Sequence, residues 1–579
     1  MKRCPECRRD YYDDTLLYCL DDGTQLLDGP ASAERKTMIL SEARPFAKDL
    51  FASFDGPGES PTQPQIDQTA KTAILPSGTG IAAHTSKLSG KRMAVLIGFT
   101  AILVAGGFFG YRYFLPGNAS ISSIAVLPFE NASGDPNLDY LSDGLSESVI
   151  DRLSQLGQLK VVARNSSFRY RDKNSDLPQI AAALGVQAIV TGRVTKRGDS
   201  FFVHAELTDV RQNNQLWGDN FNSKATDAFS VQEEIAQSVV KNLRVKLTGT
   251  QEQQLSKHET TNPAAYELVL QARFFARKGG TESRKKAIDY LNQAIAVDPN
   301  YALAYAVLAT RYNSLISNSI ADPREFLPKA EAAALKALEL DESLAEAHYA
   351  QAIVKSSTFD WETSEREFHR AIELNPNLAR AHGGFAGYLS IRGRHEQAIA
   401  EIKRAKFLDP LSPVISANYG PILYRAGRND EAISYLNQML ELDRGFGPVH
   451  LYLADSYSAK KMYPEAVTEY QEAIRLGEDS TSTQIRLGAS YASSGDSERA
   501  RSILKQVKSG ENYVSPSELA KLHEALGERD EAIKLLENAL SERDVQLQYL
   551  GVDPQYDGLR REPRFTALLS RLGLSQTPR

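Results

Sequence analysis

Apolar positions along the chain follow three regimes in turn. The run from Met93 to Tyr111 carries no charge, and a helix of that length, rising about 1.5 Å per residue, covers the hydrocarbon core of a bilayer. Beyond it the pattern switches between strand and helix periods. Ile124–Pro128 reads as a buried strand, Leu138–Leu156 as a helix, Lys160–Ala163 as a strand and Leu177–Leu184 as a helix. Three alternating runs follow at Ala188–Thr195, Phe201–Asp209 and Gln215–Phe221, then an amphipathic helix over Ala228–Leu247. Gly198-Asp199 predicts a hairpin turn between the first two runs. From Pro263 onward the period is helical throughout, and the pattern repeats. Small residues recur at Ala287, Ala330, Ser364, Ala398, Ala432, Ala466, Ala500 and Ala532, mostly 34 residues apart, with a second set seven further on at Ala294, Ala337, Ala371, Ala405, Ala473 and Ala539. Prolines close the unit at Pro299, Pro376 and Pro410.

That period and phasing is similar to the tetratricopeptide repeat, in which small side chains let neighbouring helices approach and large ones such as Phe368 and Tyr470 fill the space between pairs. About eight helical hairpins are expected over 262–545, with insertions in the first two, the larger within Asn313–Pro328. The segment 546–579, with Val552-Asp-Pro554, Phe565 and Leu568–Leu572, is expected to cap the last hydrophobic face. Over residues 121–247, Ala125-Val-Leu-Pro-Phe129, Leu141-Ser-Asp-Gly144, Val162-Ala-Arg164, Leu184-Gly-Val186 and Leu216-Trp217 resemble the TolB-like amino-terminal domain. The resemblance implies a small, non-catalytic α/β domain of membrane-tethered bacterial signalling and envelope proteins. For Asp143, Arg164 and Ser166, a capping or salt-bridge role is favoured over ligand binding.

All three cysteines stand in the first 19 residues, which excludes a disulfide framework from the bulk of the chain. Cys4 and Cys7, then Cys19 and Asp22 before Gly23, have zinc-ribbon spacing, and residues 1–27 are expected to close around one structural zinc. So short a head buries too little apolar surface to fold without such a staple. Residues 28–90 have the composition of a disordered linker. Lys87, Lys91 and Arg92 flank the apolar run (93–115 with its flank) on one side, and beyond Arg112 no Lys or Arg appears until Arg152. That asymmetry predicts a cytoplasmic N-terminus and extracytoplasmic C-terminal domains in a single-pass inner-membrane protein. The expected architecture is multidomain: zinc-ribbon-like head, one transmembrane helix, α/β domain and all-α repeat solenoid.

The net charge of −6 gives no basic surplus, and no nucleic acid partner is expected. A zinc head acting as a nucleic-acid reader is the third of three functional readings, weakened by the few basic residues there. P-loop, kinase, HExxH and nucleophile-elbow motifs are not found. The leading reading is therefore a non-enzymatic scaffold whose repeat groove takes a protein or peptide, with Tyr349, Arg380, Tyr424, Arg425 and Asp455 at groove-facing helix positions. The alternative is a regulatory, non-catalytic subunit of a kinase- or cyclase-type enzyme. His348, His382 and His450 occupy one place in three repeats, too far apart to share a metal, and are expected to pack.

Overall fold

The computed structural model describes residues 121–575, with short breaks at 136–138, 172–175, 198–199, 225–227, 246, 258, 279–280 and 511–512, and three two-residue strands near the N-terminus. Those are β1 (Lys2–Arg3), β2 (Asp10–Tyr11) and β3 (Leu27–Asp28), ordered β2-β1-β3. Cys4, Cys7, Cys19 and Asp22, the linker and the Met93–Tyr111 run lie outside the described residues. Among the described residues, no helix is long and apolar enough to cross a membrane.

The α/β module and the repeats belong to one compact unit. Strands β4 (Ser123–Val126), β5 (Glu130–Asn131), β6 (Lys160–Val161), β7 (Ala188–Arg197), β8 (Ser200–Asp209) and β9 (Asn214–Lys224) make a mixed sheet ordered β6-β4-β7-β8-β9, with β5 paired to β7. Parallel pairing of β4 with β6 and β7 gives way to antiparallel β7-β8-β9, whose first register closes on Arg197 opposite Ser200. Because side chains alternate across a strand, Ile124 and Val126 join one core while Ala125 and Leu127 join the other. The first core is covered by α1 (Asp139–Ser154) and α4 (Ala228–Asn242). The second is covered by α3 (Leu177–Leu184), which follows the short α2 (Arg164–Ser167). The expected helix to Leu247 stops earlier: Arg244 adopts a left-handed φ of 56°, and α5 (Gly249–Ser256) starts afresh.

Seventeen further helices pair into eight antiparallel hairpins. They are α6/α7 (Pro263–Lys278, Thr281–Val297), α8/α9 (Ala302–Ser317, Pro323–Leu340), α10/α11 (Ala345–Ser357, Trp361–Leu374) and α12/α13 (Ala379–Ile391, His395–Leu408), followed by α14 and α15 (Pro413–Ala417, Tyr419–Arg425) with α16 (Asn429–Leu442). The array ends with α17/α18 (Gly447–Ala459, Tyr463–Arg475), α19/α20 (Thr481–Ser493, Ser497–Ser509) and α21/α22 (Pro516–Ala525, Arg529–Ser541). The recurring alanines of both sets are fully buried at the helix contacts. Ser364, which replaces one of them, satisfies its hydroxyl by donating to the Ala352 carbonyl at 2.8 Å. The insertion in the second hairpin lengthens its helices instead of forming a loop.

Each tight corner between the two helices of a hairpin needs one left-handed residue, the usual helix-ending device. Gly393, Gly427, Gly495 and Gly527 supply it, whereas Ser319, Phe359 and Lys461 adopt the same positive φ with a side chain present.

Candidate protein-interaction site

The residues that end the second helices of the first four hairpins face the α/β module and the segment that joins it to the repeats. Asp298 accepts from Thr260 Oγ1, and Asp341 accepts from Lys257 at 2.6 Å, both donors lying on the segment that joins module to repeats. In the next turn Asn375 donates to Ser154 Oγ (2.8 Å), and Asn377 donates to the carbonyls of Ser154 and Leu159 (2.9 Å each) and Leu156 (3.3 Å). One turn further on, Asp409 accepts from Asn165 Nδ2 and from the Ser166 amide at 2.9 Å each, and from Ser166 Oγ at 2.5 Å. The Ala163 amide donates to Leu408 O, and Leu411 joins the second core of the sheet. Two successive repeat turns thus bind the module, and the two before them hold the segment that leads from it, through side chains that in a free solenoid would only stop a helix.

A second seam runs along α1. Gly144 leaves room for Leu270 of α6, whose methyl a Cβ at that position would overlap. Beside it, Arg273 of α6 bridges Glu147 (3.2 Å) and Asp151 (3.0 Å), while Arg164 reaches Glu147 (2.8 Å) and Asp143 (3.4 Å), and Arg171 also pairs with Asp143. Burial pushes the Asp151 carboxyl up to about 7 against the pull of Arg273. Tyr266 ties Ser148 to Gln232 through its hydroxyl. Asp143 and Arg164 therefore form an internal ion pair, and Ser166 holds a repeat turn.

The three repeated histidines share one geometry. His348, His382 and His450 each place Nδ1 2.6 Å from a glutamate nineteen residues on, Glu367, Glu401 and Glu469, while Nε2 faces the carbonyl of Glu342, Pro376 or Arg444. They pin the start of a first helix to its partner helix. For Glu367 the hydrogen bond from His348 holds the carboxyl below its ordinary range.

The C-terminal segment does more than cap the last hairpin. Its turn at 545–549 packs against α8 and α10 as well as α21 and α22, and Val545 is buried with Ile316 and Leu327. Gln546 donates to Ser317 O at 2.9 Å. The last helix, α23 (Pro563–Arg571), brings Leu572 O to the Trp361 indole N–H at 2.7 Å and Gly573 O to Arg392 at 2.7 Å. The segment crosses from the eighth hairpin to the second, third and fourth because its large apolar residues, Tyr556, Phe565 and Leu568 among them, share a core with Ile391 and Trp361.

The proposed groove residues meet this segment unequally. Tyr424 is buried and donates to Asp553 at 2.7 Å, and the Arg425 guanidinium lies over the Tyr549 ring at 4.5 Å. Asp455 is buried between the Tyr470 hydroxyl (2.6 Å) and Arg486 (3.1 Å). Tyr349 lies against Phe368 and over Gly384, and Arg380 remains exposed. Lys521, which the sequence did not single out, pairs with Glu518 (2.7 Å) and Asp553 (2.9 Å). Asp553 comes from a tail with no repeat phase, so periodicity carried no signal for that pair. Among the described residues, no group of three or more His, Cys, Asp or Glu is placed to hold a metal.

Comparison with known proteins assigns the two parts to different sources. The family model for the HilA/YgeH-like transcriptional regulator, second domain, matches residues 120–238, most of the stretch 121–247 for which a TolB-like domain is expected. Two tetratricopeptide-repeat models match 423–487 and 517–547. A protein of Rhizobium meliloti (strain 1021) named putative adenylate cyclase 3 is 33% identical over 235 residues, 40% of this chain and 40% of that protein. The chain thus spans two fifths of that relative's length. Among solved structures, PilF of Pseudomonas aeruginosa is 24% identical over 36% of this chain and 90% of its own, with a TM-score of 0.28. TolB of Acinetobacter baumannii is 22% identical over 22% of this chain and 30% of its own, with a TM-score of 0.17. The helical region beyond the α/β module is a tetratricopeptide-repeat solenoid.

Proposed function

We propose that the chain is a membrane-anchored interaction scaffold, held by the Met93–Tyr111 helix, that presents its repeats to a protein or peptide partner on the envelope side. The observation that supports it is the joint: two repeat turns grip the α/β module and two more hold the segment that leads from it, so the repeats serve as a rigid platform and not as a flexible appendage. A zinc-bound head at Cys4, Cys7, Cys19 and Asp22 would stand on the cytoplasmic side, and the TolB-like reading of residues 121–247 fits a module that works beside an envelope. Protease digestion of an epitope placed after Arg579, in intact spheroplasts and after lysis, tests sidedness. Digestion before lysis is expected, and protection until lysis would move the partner search to the cytoplasm. Site-specific photo-crosslinking from Arg380 then tests whether a protein contacts the repeats.

The cyclase-named relative supports a second reading, in which the same platform regulates a nucleotide-cyclising enzyme. Purified full-length chain is expected to leave ATP unconverted and to alter the rate of a co-purified cyclase. Conversion of ATP by the chain alone would make it an enzyme.

A further inference from the structure

The inner wall of hairpins five to eight holds an occupied site. Tyr424 and Arg425 of one repeat and Lys521 of another converge on one acid and one ring of the C-terminal segment. Asp553 receives the Tyr424 hydroxyl at 2.7 Å and the Lys521 ammonium at 2.9 Å, and Tyr549 lies under the Arg425 guanidinium. Around them, Glu518 holds the far side of Lys521, while Arg486 links Glu518 to Asp455. The Lys521 ammonium also lies 5.3 Å from the centre of the Tyr556 ring. A cation and a phenol donor on a carboxylate, with an arginine stacked on an aromatic ring, is the chemistry by which a wall recognises a peptide carrying an acid near an aromatic residue. The occupant continues the chain beyond Ser541 as two short turns and one helix.

We propose that this wall is a subsite for a peptide that bears a carboxylate next to an aromatic ring, and that Asp553 and Tyr549 of the chain itself are its resident competitors. The inference rests on the scaffold reading and narrows it: a partner enters by displacing the C-terminal segment. Burial opposes ionisation of Asp553, but Lys521, the Gln555 amide and the Tyr424 hydroxyl outweigh it and hold the carboxyl far below the usual range. The occupant is therefore charged at neutral pH.

Native-state hydrogen exchange on the full chain, together with a synthetic peptide of residues 544–562, tests the proposal without any variant that has to refold. Amides of 545–559 are expected to exchange through an opening at least 100-fold more frequent than that exposing amides 453–457. Exchange of both only in global unfolding would overturn the proposal. Labelled 544–562 peptide is expected to bind the full chain, and the same peptide with Asp553→Asn to bind at least tenfold more weakly. Equal binding of the two peptides, or none, would overturn it. Crosslinking of a protein partner while the 545–559 amides stay protected would keep the scaffold reading and reject this inference.

Discussion

At the scale of single residues, asparagine and histidine carry tasks that their type alone would not announce. Asn377 closes the carbonyls of three residues between α1 and β6 and accepts from the Val161 amide. Replacing it with alanine leaves buried carbonyls without a donor, and each such group costs about 1–3 kcal/mol. Asn377→Ala is therefore expected to lose about 2–4 kcal/mol in urea unfolding, most of it recovered by neither Ser nor Gln. The His348–Glu367 pair gives a dependence on acidity. Since the folded-state pKa of Glu367 is depressed, its contribution is present above the ordinary carboxylate range and is lost as pH falls through the lowered value. His348→Gln should flatten the acid limb of the stability curve, measured by thermal melts between pH 3 and pH 6. The sequence showed that these histidines were equivalent but not what they touched, because the glutamate partner lies on the facing helix and nothing in a 34-residue period singles it out.

Among the elements, the corners between paired helices separate residues that fit from residues that are tolerated. Lys461 takes the left-handed conformation that glycine takes at four equivalent corners, and its side chain is exposed. Lys461→Gly should stabilise the chain by about 1 kcal/mol, because the strain of a side chain at positive φ is relieved and little packing is lost. A midpoint unchanged or lowered in urea would show that the lysine contributes through its neighbours. Phe359, in the same conformation, is a different case: its ring packs against Trp361, so glycine there would exchange strain for a cavity. Hairpins and helix phase were legible from the small residues because close helix approach demands them wherever a repeat occurs. The C-terminal segment was legible only as apolar. With no period, its sequence gave no direction, and a cap on the last hairpin and a bridge to the second have the same composition.

On the scale of the molecule, the seam along α1 couples the two parts to pH. Asp151 is raised to about 7 in the folded chain, chiefly by burial. Below its unfolded value the group is protonated in both states and contributes nothing. As pH rises from about 4 to 7 the unfolded chain ionises first, so the folded state loses stability across that window and levels off above it. Asp151→Asn is expected to remove that slope, measured as the urea midpoint from pH 4 to pH 8, and a slope unchanged would place the titration elsewhere. The α/β module and the repeats should melt in a single transition, because Asn377, Asp409 and Arg273 cross the boundary between them. Composition could not reveal this joint: helix-ending Asx residues look alike whether they face water or a neighbouring domain.

The turns at Asp298, Asp341, Asn377 and Asp409 also bear on how such a chain can change over generations. Repeat arrays elsewhere lengthen or shorten by whole units with little penalty, since each unit contacts only its neighbours. Here the first four hairpins are held in order, two by the segment that leads from the module and two by the module itself, and the last is returned to the second by the C-terminal segment. Gaining or losing one unit would offset every grip beyond it by a full repeat and leave the returning segment facing the wrong hairpin. The number of repeats is thus set by closure, as the number of strands is in a barrel, and variation is confined to what each surface displays.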